Sequence, residues 1–401
     1  MRFPFSLQLL ARLILDTVSA LPLVGLLDLS TSQTHAASLL ESAWRTTWDI
    51  LSPRLLQTDP EQPPSFQYPI LLRWRGVRFF DVTDHQNPLS VLPSLGSASS
   101  PFPSKLSHQA TVAKIHSNIS ETGPRGNIKK FTSFSTRYYK SSSGKDSQRW
   151  LLQRVGAIIT EHNRQDDVSI FEFPHPWGQN SIIVRLAASD RHVNGTIVLG
   201  CHQDSVNLLM PYLPAPGADD DGSGVVTQLE SLRALLSTGY RPGKRYVEYH
   251  FYSAEEGGLL GSQAVASAYV QRGVRVDAMS QYDMTAFVKQ GTRTEGGKMR
   301  MGIVSDFVSP LLVEFNRLLL KEYLADTIEP VDTKLGYAAS DHASWTKAGV
   351  HSFFAVENAF EDCNLRRIHT TSDTWDHAEY SFALITSFVK LSIAFIVELS
   401  E

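Results

Sequence analysis

The stretch TIVLGCHQD, residues 196–204, decides the fold. Its first five residues form a short apolar run with no polar alternation, which predicts a strand buried on both faces in a mainly parallel sheet. The run ends in His202 and Asp204, which share a face of an extended chain. The same order recurs downstream. Tyr246 to Tyr252 (YVEYHFY) runs straight into Ser253, Ala254, Glu255 and Glu256; Val276 to Tyr282 runs into Asp283; and 350–356 leads into a loop with Arg366, Arg367 and His369. Between these strands Val225, Leu229, Leu232 and Leu236 repeat at helical spacing, with Gly239 as the stop. A second helix is marked by Ser309 as N-cap and Pro310 at its first position, and continues through Leu319. Alternating strands and helices predict an α/β three-layer sandwich, a mixed but mainly parallel central sheet with helices on both faces. Its ligand site is expected beyond the carboxyl ends of the strands.

Composition narrows the rest. The 401 residues are 42% hydrophobic and 19% charged, ample for a core and too apolar for wholesale disorder. A formal charge of −4 supplies no field for a polyanion, so nucleic acid is not an expected partner. Two cysteines, Cys201 and Cys363, exclude a disulfide framework or a multi-cysteine metal site, and are expected to pack as free thiols. The most apolar segment, 382–399, carries Ser387, Lys390 and Ser392 at helical intervals and reads as a core helix, not a membrane span. Residues 1–20 have the outline of a signal peptide, with Arg2, an apolar stretch and small Ser19 and Ala20, although Arg12 and Asp16 interrupt it. The sequons Asn118-Ile119-Ser120 and Asn194-Gly195-Thr196 also favour secretion. The Pro- and Ser-rich run 88–105 marks a boundary. Upstream of it, a helical pattern at 36–50 and a strand-like run at 74–82 suit a small pro-region, 21–105; residues 106–401 form the main domain.

The strand-end side chains suit metal chemistry. Zinc accepts imidazole nitrogen and carboxylate oxygen, and two ions about 3.5–4 Å apart need a carboxylate between them. His202, Asp220, Glu256, Asp283 and His369 fit such a pair, with Asp220 as the candidate bridge. Singly, each has a plainer reading. The acids of PGADDDGSG (216–224) sit before a helix, where Asp219 and Asp221 have capping to do. The pair Glu255 and Glu256 precedes a helix that favours acids, and His202 could be a satisfied loop histidine. In company, the metal reading gains. Asp204 is placed to hold the His202 ring nitrogen that faces away from the metal. Glu256 binds metal while its neighbour Glu255 acts as general base.

These stretches resemble the zinc-dependent aminopeptidases, and most closely the secreted fungal leucine aminopeptidases. FTSFSTRYYKSSSG, IVLGCHQDSVN, APGADDDGSGVV, SAEEGGLLGS, QYDMT, SDHASW and RRIHTTSDT occur in order across 131–374, and the resemblance spans nearly everything after about residue 106. Upstream, WRGVRFFDVTD is similar to the pro-region of those enzymes. The resemblance implies one catalytic domain, two zinc ions and hydrolysis of N-terminal residues, preferentially leucine or other apolar ones. It implies that His202 and Asp283 hold one zinc, Glu256 and His369 the other, Asp220 both, and that Glu255 takes the proton of a water shared by the two ions. It also implies a cis peptide after Asp220, and a structural place for Asp341 and His342. Expected partners are peptides with a free N-terminus, acted on by a secreted monomer with no membrane attachment.

Two departures stand out. A CGYxC stretch in the related enzymes is LGYAA here (335–339), so its disulfide is missing, while Tyr337 remains as a candidate substrate contact. Cys201 replaces the small residue usual before the metal-binding histidine. A glutaminyl cyclase, a carboxypeptidase using Arg366 or Arg367 for a substrate carboxylate, or a non-catalytic zinc-binding protein are the rival readings.

Overall fold

The computed structural model describes residues 100–401 continuously, together with 54–58, 64–67, 72 and 79–83. The leader-like residues 1–20 and the helical pattern at 36–50 lie outside the described residues, as does most of the strand-like run at 74–82.

Three short strands, β1 (Arg54–Gln57), β2 (Ser65–Gln67) and β3 (Phe80–Asp81), make an antiparallel sheet in the order β2-β1-β3. It rests on the main domain, where Gln263 Nε2 donates to the Asp81 carbonyl and Val82 packs with Leu259 and Ala343.

The main sheet has eight strands: β4 (Val168–Phe173), β5 (Ser181–Leu186), β6 (Thr196–His202), β7 (Tyr246–Tyr252), β8 (Val276–Tyr282), β9 (Met299–Val304), β10 (Ile328–Thr333) and β11 (Ser352–Val356), in the order β10-β9-β11-β8-β6-β7-β5-β4. The neighbours β11, β8, β6 and β7 all run in one direction. All four are buried over most of their length, and β6 throughout. Antiparallel pairs flank them at β5–β7, β4–β5 and β11–β9. The last strand begins at Ser352, two residues later than its apolar pattern suggests. His351 lies outside it, half-buried, with Nδ1 hydrogen-bonded to Ser309 Oγ.

Strand alternation divides the core. Ile197, Leu199 and Cys201 enter the larger cluster, while Val198 turns to the smaller one with Met279 and Trp345. The larger face is covered by α1 (Gln109–His116), α2 (Thr122–Phe131), α3 (Ser142–Glu161), α4 (Gly222–Ser237), α6 (Pro310–Tyr323) and α8 (Phe382–Ser400). The smaller face takes α5 (Leu260–Gln271) and α7 (His342–Lys347). Helices on both faces of a mixed sheet are the architecture expected.

α8 is apolar and long enough to cross a membrane, yet 83% of its apolar window is buried against other helices. Its Glu398 carboxylate accepts the Ser107 and His108 backbone N–H groups at 3.0 and 3.1 Å and the Tyr323 hydroxyl, fastening the start of the domain to its last helix. Cys201 and Cys363 are separate, buried thiols.

Candidate metal centre

The four parallel strands deliver their polar ends to one spot. His202 closes β6; Glu255 and Glu256 follow β7, Asp283 follows β8, and His369 is carried by the loop after β11. Asp220 comes from the loop ahead of α4, where Asp221 is the N-cap and accepts the Gly224 N–H at 2.8 Å. Asp219 does no capping. It is fully buried and accepts from Ala286 N and from Asn364 Nδ2. The Asp220–Asp221 peptide is cis.

Two triads result, His202–Asp220–Asp283 and Asp220–Glu256–His369, each with one ligand atom per residue within 4.8 Å of the others. Asp220 belongs to both. Its Oδ1 lies 3.0 Å from His202 Nε2 and its Oδ2 2.9 Å from His369 Nε2, so the two oxygens of one carboxylate face opposite triads. Glu256 Oε2 is 3.1 Å from His369 Nε2, and Asp283 Oδ1 is 3.6 Å from His202 Nε2. Glu255 Oε2 reaches 3.9 Å from the same His202 nitrogen.

Support around these groups leaves ligand atoms available. Ser340 Oγ donates to Asp283 Oδ2 at 2.7 Å, while Asp283 Oδ1 has no hydrogen-bond partner among the described residues. The Asp373 carboxylate accepts the N–H groups of Asp219 and Asp220, which holds the bridge-bearing loop from behind. For Asp204 the geometry differs from the expected carboxylate contact. His202 Nδ1 donates to the Asp204 carbonyl oxygen at 3.2 Å, and its carboxylate Oδ1 lies farther away, at 3.6 Å. That carboxylate instead accepts the N–H groups of Glu255 and Glu256, setting the turn that presents both acids. Ala254, Met284 and His369 adopt left-handed φ of 58°, 55° and 60°, a conformation non-glycine residues rarely hold. His369 is itself a candidate ligand, Met284 follows Asp283, and Ala254 precedes Glu255.

The electrostatics call for cations. Burial pushes the imidazoles of His202 and His369 down, but facing carboxylates outweigh it; His202 stands well above its ordinary pKa and His369 rises to about 9. Burial and the neighbouring Glu256 and Asp283 push Glu255 well up, even against the pull of His202. An acid-rich, water-poor cluster with imidazole nitrogens aimed at shared carboxylates is the donor set zinc takes. The residues therefore fit the metal.

An apolar pocket opens beside the acids, lined by Met284, Phe354, Val356, Phe360, Ile368 and the half-buried Tyr337, whose ring meets Phe360 edge-on. No Lys or Arg is among its lining residues; Arg367 pairs with Glu379 at 3.0 Å. Ser340, Asp373 and Asn364 were missed as site residues. The first two lie inside SDHASW and RRIHTTSDT, where an acid four residues beyond His369 was the available signal.

Comparison with known proteins gives the family. Residues 181–393 match the model of peptidase family M28. The chain is 43% identical over 335 residues to leucine aminopeptidase 1 of Fusarium vanettenii, covering 81% of both chains. It is 44% identical to leucine aminopeptidase 1 of Uncinocarpus reesii, over 81% of this chain and 82% of that one. Among solved structures, the LapA aminopeptidase of Legionella pneumophila aligns at TM-score 0.70 and 26% identity, over 83% of this chain and 87% of its own. A Porphyromonas gingivalis glutaminyl cyclase aligns at TM-score 0.53 and 16% identity over 69% of this chain and 98% of its own, a likeness of fold alone. The chain belongs to peptidase family M28 and is a zinc-dependent aminopeptidase.

Proposed function

We propose that this enzyme is a secreted leucine-type aminopeptidase working with two zinc ions, held by His202, Asp220 and Asp283 and by Asp220, Glu256 and His369. The observation that carries this reading is Asp220, whose two oxygens each face a separate triad. When bound, such a pair supplies Lewis acidity, polarising the scissile carbonyl and making an attacking water acidic near neutral pH.

The protein's own groups do the rest. Of the acids that line the pocket, Glu255 is the one in neither triad, 3.9 Å from His202 Nε2. It takes the proton of the attacking water and returns it to the departing amine as the C–N bond breaks, a shuttle worth about 10²–10⁴ in rate. The apolar pocket takes the side chain of the N-terminal residue, with Met284, Phe354, Val356 and Phe360 suited to leucine and Tyr337 at its wall. Its acid-rich floor suits a substrate ammonium, and the lack of Lys or Arg among the described lining residues disfavours a C-terminal carboxylate. Two triads also favour this reading over a one-zinc cyclase.

Secretion is supported by the sequons, since Asn118 and Asn194 are both exposed. We further propose that residues 21–105 form a pro-region, with 106–401 as the catalytic domain. Metal analysis of the purified chain should find two zinc ions, and a panel of aminoacyl anilides should rank leucine first. One zinc, with cyclisation of an N-terminal glutaminyl peptide and no anilide release, would overturn the proposal.

A further inference from the structure

We propose that Arg137 is a positioning residue for the metal centre, its guanidinium tying the loop that follows His202 to the loop that carries Asp220. The inference rests on the two-zinc reading above. Arg137 belongs to FTSFSTRYY, a stretch for which the chemistry just described has no use. It precedes α3 and is completely buried.

Its donors go to two separate backbone segments. Nε donates to the Gln203 carbonyl at 2.9 Å, one residue past His202. Nη2 donates to the Gly217 carbonyl at 2.8 Å and Nη1 to that of Pro216, three and four residues before Asp220. A second tie runs alongside. The Arg137 N–H donates to Ser205 Oγ at 3.0 Å, Ser205 donates on to the Ala215 carbonyl at 2.8 Å, and Ala215 N–H returns to Ser135 O. Ser135, Arg137 and Ser205 thus lace both metal-bearing loops together.

A buried cation ordinarily needs a carboxylate in contact, and among the described residues Arg137 makes no ion pair. Its charge is met at longer range by Asp373, Asp204, Asp221 and Asp220, and beneath it by the Phe131 ring, 4.2 Å from the guanidinium carbon. The fork spends its charge-assisted bonds on carbonyl oxygens. Gly217 makes room for it: at φ +54° it has no Cβ, and one placed there would stand 2.8 Å from Nη2 and 2.6 Å from the Asp220 carbonyl. A lysine has one point of charge and cannot reach three divergent carbonyls at once.

Zinc affinity tests the idea, measured on the full chain by competition with a chromophoric chelator and accompanied by the absorption spectrum of the cobalt-substituted protein. Arg137→Lys should bind zinc about 10–100-fold more weakly, the usual cost of losing a group that orients metal ligands, and should shift the cobalt bands. Ser205→Ala, which removes the parallel tie without stranding a charge, should weaken zinc several-fold and decides the matter if Arg137→Lys does not fold. Arg164→Lys breaks a buried pair with Asp167 away from the triads and should lower Tm with no change in zinc affinity. Wild-type affinity and cobalt spectrum in Arg137→Lys, or in Ser205→Ala where Arg137→Lys does not fold, would overturn the proposal. Asp220→Ala separates the two levels: if it keeps the full zinc content the two-zinc reading itself fails, whereas if it loses zinc and Arg137→Lys does not, only the role of Arg137 falls.

Discussion

Glu255 and Glu256 are adjacent in sequence and do different work, and Asp204 explains how. By accepting both backbone N–H groups it bends the chain so that Glu256 meets His369 while Glu255 faces His202. Glu255→Ala should therefore keep its zinc, read by metal analysis, while kcat on leucyl-anilide falls about 10²–10⁴-fold. Asp220→Ala should behave oppositely, losing bound zinc before any question of turnover arises. His202, Asp220, Glu256 and Asp283 were legible because each closes a strand or opens a helix, a local pattern in the chain, whereas His369 lies in the loop after β11 and was marked by the resemblance of RRIHTTSDT. Ser340, Asp373 and Arg137 leave no such pattern. They act on backbone or on a ligand's second oxygen across long sequence separations, and only folding brings those partners together.

At the scale of elements, the loop after β10 is anchored at both ends by hydrogen bonds. Leu335 and Gly336 donate their N–H groups to Asp306, the latter at 2.6 Å, and the loop ends at Ser340 on Asp283. Asp306→Ala should free the pocket wall that carries Tyr337, raising KM several-fold with zinc content unchanged; an unaltered KM would show the wall needs no such anchor. Among the strands, β6 was readable as a continuous apolar run, and β7, β8 and β11 by the acids or the histidine-bearing loop that follow them. The strands β4, β5, β9 and β10 were not. In β10 a proline and two acids fit an edge position, and in β4 only the first residue is buried, so neither carries the run that marks a buried strand.

For the molecule as a whole, three histidines resist protonation in the fold. Burial lowers the half-buried His116 and the buried His175 to about 4 and the buried His342 to about 3. The unfolded chain takes up these three protons near the ordinary value of 6.5, so between pH 6.5 and 4 the contribution of each histidine to stability falls as pH drops. His342 stacks on Phe354 with neither ring nitrogen hydrogen-bonded among the described residues. His342→Leu should therefore raise Tm relative to the wild type more at pH 5 than at pH 7; an equal difference at both would remove His342 from the account.

The Glu398 carboxylate, which receives the Ser107 and His108 N–H groups, sets how far a protease can whittle the enzyme from its front. Nicks ahead of residue 105 leave this clasp intact and should yield a core that melts as the full domain does. Removing three or four residues more unbuckles the last helix, exposes a carboxylate seated beside Tyr323, and should cost several degrees of Tm.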